Sequence, residues 1–337
     1  MKHEKSSKRR TAAFKNVLFV ILVAAGCVYG LDPDTLTILH LSDTHVSYWA
    51  GCHPLLEKLQ REKTADSRSL ADWFVSTPRE TGADLVVHTG DMIHFYQAAN
   101  GKGGFEATQI EQFASLLSDC PAPFYAVLGN HDIRSYWIDE TANTAPCFQL
   151  DQQSARAAWI RNLVCFRDGF YSRRTYRIGE TRYHLIFLDN AYDLADRASL
   201  DQAQLEWLEH ELAQTRREPV LLFMHKYLPA LDYNRDGVAF SPAAASGLTD
   251  STCASGFLRL LNAYPNIRLL LVGHGHSCKS EWLPFPGGHV ILQKSTGAFV
   301  KDANNWRLVK CTEHEILIHE PGTHRIEMKI AVAKRDR

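Results

Sequence analysis

Thr37-Ile38-Leu39-His40-Leu41-Ser42-Asp43-Thr44-His45 decides how this chain folds: a short apolar run ends abruptly in a turn carrying a carboxylate and an imidazole. A run of that length bounded by turn residues reads as a buried strand. The same arrangement returns four times. Asp84–His88 precedes Thr89-Gly90-Asp91; Phe124–Leu128 precedes Gly129-Asn130-His131-Asp132; Val220–Met224 precedes His225; and Ile267–Val272 precedes Gly273-His274-Gly275-His276. Helical windows fall at about 67–75, 106–118, 200–217 and 255–263. In the third, Leu205, Leu208 and Leu212 keep amphipathic spacing and Pro219 ends the segment. Strands alternating with helices predict an α/β fold with covered sheet faces. After Gly287 the pattern becomes strand upon strand, at His289–Gln293, Trp306–Cys311, Glu315–His319 and Arg325–Ala331. Residues 46–67 and 133–171 are long for simple connections, and they read either as caps over a site or as surface decoration.

The chain has 337 residues, 45% of them hydrophobic and 22% charged, which is the composition of a folded protein. Its net charge of −1 conceals an uneven distribution. Residues 1–15 hold six Lys/Arg against Glu4 alone, leaving 31 basic and 37 acidic residues, a net −6, in the remainder. A mildly acidic body has no basic nucleic-acid-binding footprint. The basic block runs into the apolar stretch Val17–Ala25 and small residues, the layout of a secretory signal over residues 1–30. Ala24-Ala25-Gly26-Cys27 also resembles a bacterial lipobox, in which Cys27 would be lipidated; plain cleavage near Gly30 and retention as a signal anchor are the alternatives. Residues 31–337 are then expected to form a single exported domain, periplasmic, secreted or membrane-anchored. Seven cysteines follow Cys27 with no C-x-x-C pair, which excludes zinc-ribbon and thioredoxin motifs, and at least one of them is expected to be free and buried.

The five turns together bring Asp43, His45, Asp91, Asn130, His131, His225, His274 and His276 to strand ends, where an α/β sheet gathers its ligands. Mixed carboxylate and imidazole donors suit first-row divalent metals better than Ca²⁺. Eight such groups exceed one tetrahedral site. Two ions account for seven and leave one histidine for proton transfer. Each short motif alone is common by chance, and His225 by itself could be a core histidine; the shared placement of all five is what carries weight.

These blocks, Asp43-Thr44-His45, Gly90-Asp91, Gly129-Asn130-His131-Asp132, His225 and Gly273-His274-Gly275-His276, resemble those of the calcineurin-like metallophosphoesterases over about residues 36–300. The resemblance implies a four-layer α/β/β/α sandwich of two mixed β-sheets with a dinuclear site on one edge. It implies that Asp43, His45 and His276 bind a first divalent ion and Asn130, His225 and His274 a second, with Asp91 bridging. The metal would be Mn, Fe or Zn. A hydroxide shared by the ions would attack a phosphomonoester or phosphodiester, and His131 would act as general acid. Purple acid phosphatases have Gly and Tyr where His45 and His94 stand, and phosphoprotein phosphatases continue the second block as G-D-x-V-D-R-G, against Gly90-Asp91-Met92-Ile93-His94 here. The Asp-x-His form is instead similar to the cyclic-nucleotide, sphingomyelinase-like and general phosphohydrolase branches.

Arg134, His94 and Tyr227 are the candidate substrate residues; a guanidinium grips phosphate in two places, although aromatic neighbours of such sites are more often packing. His40, His88 and His184 lie inside apolar runs and read as core histidines. The expected function is an exported metal-dependent phosphoesterase acting on a phosphate ester. Its alternatives are a membrane-associated, sphingomyelinase-like lipid phosphodiesterase and a non-catalytic scaffold of the same fold.

Overall fold

The computed structural model describes residues 34–64, 67–138, 147–191, 200–215, 217–228, 231–234, 237–240 and 251–332. The signal segment with Cys27 lies outside the described residues. In chain order the strands are β1 (Leu36–Leu41), β2 (Leu85–His88), β3 (Gln97–Ala99), β4 (Phe105–Glu106), β5 (Phe124–Ala126), β6 (Arg134–Trp137), β7 (Cys147–Leu150), β8 (Ser172–Ile178) and β9 (Thr181–Phe187). They continue with β10 (Val220–Phe223), β11 (Leu231–Asn234), β12 (Gly237–Phe240), β13 (Ile267–Val272), β14 (Lys279–Pro284), β15 (Val290–Ser295), β16 (Trp306–Cys311), β17 (Glu315–His319) and β18 (Ile326–Ala331). The helices are α1 (Pro54–Gln60), α2 (Ser67–Thr81), α3 (Gln109–Leu116), α4 (Gln152–Asn162), α5 (Gln202–Gln214) and α6 (Ser251–Ala263).

Two six-stranded mixed sheets form the centre, in the orders β18-β17-β16-β1-β2-β5 and β14-β15-β13-β10-β9-β8. Strand alternation sends successive side chains to opposite faces and so builds three apolar layers. Ile38, Leu85, Val87, Leu185, Phe223 and Leu271 pack between the sheets. Leu39, Leu41 and Val86 turn outward onto α2, α3 and α4 through Phe74, Phe113 and Trp159. Leu222, Met224, Leu270 and Val272 turn outward onto α5 and α6 through Leu208, Leu212, Phe257 and Leu261. This is the expected α/β/β/α sandwich. Because β1, β2 and β5 belong to one sheet and β10 and β13 to the other, the five ligand-bearing turns meet across the junction of two sheets rather than along a single sheet edge.

The two long stretches are not irregular loops. Residues 46–67 hold α1, and 133–171 hold β6, β7 and α4. A satellite core of Trp49, Cys52, Leu56, Phe95, Ala98 and Tyr136 joins α1 to a small sheet of order β4-β3-β6-β7. Helix α4 instead returns to the main body: Trp159 is fully buried and its indole N–H donates to the Asp132 carbonyl at 2.9 Å. Only Ala155, Ala158 and Trp159 of α4 are buried, too thin a stripe to stand out as a periodic signal. Helix α2 runs past Pro78 to Thr81, further than the window at 67–75, although Pro78 has no N–H to bond back along the helix.

His40, His88 and His184 are core histidines with partners, at Thr89 Oγ1 (2.9 Å), Thr44 Oγ1 (3.1 Å) and Glu218 Oε2 (2.6 Å) respectively. Burial pushes His40 and His88 down to about 3, so both stay neutral at ordinary pH. Cys52, Cys120, Cys165, Cys278 and Cys311 are free thiols, and Cys311 is fully buried. The side chains of Cys147 and Cys253 lie outside the described residues.

Phe187 and Phe223 stack at 4.9 Å between the sheets. Replacing Phe223 with Ala is expected to cost about 3–5 kcal/mol of stability, read as a lowered urea midpoint with an unchanged slope.

Candidate metal centre

The turn after β1 is zipped to the turn after β2 by main-chain bonds: Asp43 N–H to Gly90 O (3.0 Å), His45 N–H to Asp91 O (3.0 Å) and Val46 N–H to Met92 O (3.1 Å). Gly90 has φ of +87°, and a Cβ there would press on His225 Nδ1 and Gly129 N. A Cβ on Gly273 would collide with Ser42 and approach Asp43 Oδ2. Both turns therefore come together only with glycine at these points. The non-glycine residues with positive φ among the described residues are Asp43, His45, Asp91, His274 and His276, all of them predicted ligands. Left-handed backbone at such residues is uncommon and has to be held by its surroundings.

The donor atoms converge. Asp43, His45, Asp91 and His276 form one cluster able to hold a cation, and Asp91, His225 and His274 form a second. In the first, His276 Nε2 lies 3.3 Å from Asp43 Oδ1 and 3.0 Å from His45 Nε2. In the second, His225 Nε2 lies 3.2 Å from Asn130 Oδ1 and 3.2 Å from His274 Nδ1. Asp91 belongs to both: its Oδ2 is 3.6 Å from His45 Nε2 and 3.3 Å from His225 Nε2. Its other oxygen, Oδ1, accepts the His131 main-chain N–H at 2.8 Å. His225 donates from Nδ1 to Thr89 O at 2.7 Å, which leaves its Nε2 lone pair for the cluster. Carboxylate, imidazole and amide oxygen in this arrangement fit two first-row divalent ions.

The electrostatics point the same way. Burial, reinforced by His225, drives His274 down to about 2, and burial drives His45 well below its ordinary value. For His225 burial also works downward, but the Asp91 carboxylate overrides it and raises the group to about 9.

His131 sits beside both clusters, its ring 4.6 Å from that of His45. It donates from Nδ1 to His94 O at 2.8 Å, and Arg134 Nη1 donates to its Nε2 at 3.0 Å. Burial lowers it to about 4; Arg134 also lowers it, while Asp91 raises it. Arg134 is thus at the site, against His131. Tyr227 lies beside the second cluster, its ring 6.4 Å from that of His274 and close to Gly275. His94, the third candidate substrate residue, is only 3% exposed, with Nε2 on Gln60 and Nδ1 facing His45. Cys278 Sγ accepts the Gly297 N–H at 3.1 Å and belongs to neither cluster.

Two structural anchors of the site escaped the sequence reading or were undervalued by it. Asp132 accepts three main-chain N–H bonds, from Asp91 (2.9 Å), Ile93 (3.1 Å) and Gly129 (2.7 Å), and so clasps the second turn to the third. Asn190 accepts the N–H groups of His225 (3.0 Å) and Lys226 (3.1 Å) and donates to Lys226 O (2.7 Å). It follows β9, whose Tyr183–Leu188 run before Asp189-Asn190 repeats the strand-then-polar-turn signal of the other blocks.

A family model for calcineurin-like phosphoesterases matches residues 36–278. The chain belongs to that family. It is similar to the 3′,5′-cyclic adenosine monophosphate phosphodiesterase CpdA of Escherichia coli K12, at 23% identity over 307 residues covering 85% of this chain and 86% of that one. It is also similar to a probable cyclic nucleotide phosphodiesterase of Psychrobacter arcticus, at 24% identity over 201 residues, 59% of this chain and 58% of the relative, so that match spans little more than half of that protein. In fold it resembles a dimetal phosphatase from Danio rerio, with a TM-score of 0.55 at 14% identity, covering 88% of this chain and 99% of that one. The reaction class of this family is metal-dependent phosphoric ester hydrolysis, and the His/Asp clusters of this chain are able to hold the metals.

Replacing Asp132 with Ala strands three buried N–H groups, each worth ~1–3 kcal/mol when left unsatisfied. The variant is expected to lose several kcal/mol in chemical denaturation and to bind divalent metal more weakly. Replacing the exposed Ser76, on α2, with Ala is the control, expected to change both readouts little.

Proposed function

We propose that the protein is an exported phosphodiesterase working through a dinuclear centre, and the observation that carries this is the Asp91 carboxylate shared between two complete donor clusters. The first ion would be held by Asp43, His45 and His276, the second by Asn130, His225 and His274, and Asp91 would join them. Ions so bound supply positive charge to the phosphoryl oxygens and make hydroxide accessible near neutral pH. The chain's own part is positional. Asp43 is fixed by the His274 N–H at 3.2 and 3.1 Å to its two oxygens, and His225 is fixed through Thr89 and Asn190, so the donors do not have to reorganise when charge develops. His131 carries its proton on Nδ1 and accepts Arg134 at Nε2, so as general acid it would first take up a proton from solvent at Nε2 while Arg134 turns to the phosphate, and would then pass that proton to the leaving alkoxide. Arg134 would grip the phosphate as it displaces that contact. Diesters are favoured over monoesters because the similar curated proteins are cyclic-nucleotide phosphodiesterases by name. Export rests on the basic and apolar N-terminal segment, Lys2–Cys27.

With Mn²⁺ present, the protein should hydrolyse bis-p-nitrophenyl phosphate faster than p-nitrophenyl phosphate, and chelation should abolish both activities. No turnover with any divalent ion would refute the enzyme reading, and a faster monoesterase would refute the diester preference. His131→Ala should lower kcat by ~10²–10⁴-fold while metal content stays at two ions per chain. Loss of an ion instead would make His131 a ligand. For export, N-terminal sequencing of protein expressed in bacteria should find a new terminus between Cys27 and Leu31; an intact Met1 in the cytoplasmic fraction would overturn it.

A further inference from the structure

His94 does not face the cleft, yet every polar atom of its ring is engaged. Its Nε2 lies 3.1 Å from Gln60 Oε1 and its Nδ1 lies 3.4 Å from His45 Nδ1. An amide oxygen only accepts, so the proton of a neutral His94 is on Nε2 and its Nδ1 offers a lone pair. The proton shared by the two Nδ1 atoms therefore belongs to His45. That leaves the lone pair of His45 on Nε2, the atom facing Asp43 (3.9 Å), Asp91 (3.6 Å) and His276 (3.0 Å). Turning the Gln60 amide round reverses the chain: His94 would carry its proton on Nδ1, His45 would carry its own on Nε2, and a ligand would become a donor aimed into the cluster.

The same residue anchors His131. The His94 carbonyl accepts the His131 Nδ1 proton at 2.8 Å, and the His94 ring packs against both His131 (4.8 Å) and Tyr136 (5.6 Å, 9° between planes), which are 6.4 Å from each other. Gln60 is the last residue of α1 and is 6% exposed, so the satellite lobe reaches the metal centre through this contact. We propose that His94 is a positioning residue which, with Gln60, sets the tautomer of His45 and so tunes the first metal site. This rests on the dinuclear reading above and replaces a substrate-contacting role for His94.

The test is metal binding, measured on metal-free full-length protein by Mn²⁺ titration with electron paramagnetic resonance, and by metal content after graded chelation. Wild type should take up two ions. His94→Leu removes the acceptor and should weaken one of the two ions ~10–100-fold, leaving the other unchanged. In His94→Asn the amide oxygen takes approximately the place of Nδ1 and can accept from His45, so this variant should recover most of the lost affinity although the stacking is gone. Gln60→Leu, away from the cluster, should weaken the same ion about tenfold, and it carries the test alone if His94→Leu does not fold. Two ions held as in wild type by both leucine variants, or an Asn variant as weak as the Leu one, would overturn the proposal. A wild type that binds no divalent ion would refute the dinuclear reading itself, an outcome separate from any difference among variants.

Discussion

Two imidazole nitrogens, those of His45 and His276, face each other at 3.0 Å, with a buried carboxylate on either side. Two imidazole nitrogens that close need either a proton shared between them or a cation that takes both lone pairs, and carboxylates buried without countercharge are costly as well. The second cluster repeats the contact with His225 and His274 at 3.2 Å. A pair of divalent cations would satisfy both at once, because it would turn the set of crowded acceptors into ligands. The remainder of the chain can be understood as the apparatus that holds those acceptors together.

That apparatus spends backbone strain to gain convergence. Five non-glycine residues adopt positive φ, and all five point donors into the clusters. Strain of ~1–3 kcal/mol per residue persists only where neighbouring structure over-determines the conformation. Here the restraint is visible in Asp132 clasping two turns, in Asn190 holding the His225 main chain, and in Thr44, which donates to Met92 O at 2.7 Å while bonding His88. Below the turns lie three apolar layers that give the two sheets a fixed relation. The donors do not have to find each other in solution.

Much of this was legible in the chain. The strands at Leu36–Leu41, Trp306–Cys311 and Glu315–His319 are marked by short apolar-rich stretches between turn residues, and the structure has them at or within a residue of the expected bounds. The short strands β3, β4, β6 and β7 and helix α1 were not legible, because each is a few residues long and pairs with segments distant in sequence. Strand β9 and Asn190 carry a legible signal, the Tyr183–Leu188 run before Asp189-Asn190. His94 shows the limit best. Its residue type beside a phosphate motif suggests contact with substrate, but its partners are Gln60, 34 residues earlier, and His45, 49 residues earlier.

The sequence by itself determined the chemistry and the layering. Periodicity selects strand or helix locally, and Asp, Asn and His at strand ends are donors whatever surrounds them. What only the tertiary structure decided is which donors share a centre: that the five turns come from two sheets, that Asp91 Oδ2 lies between two groups, and that the proton on His45 is directed away from the cluster. These are relations between residues 30 to 230 positions apart. They depend on the angle and spacing at which two packed sheets meet, a property of the whole core that no local stretch encodes.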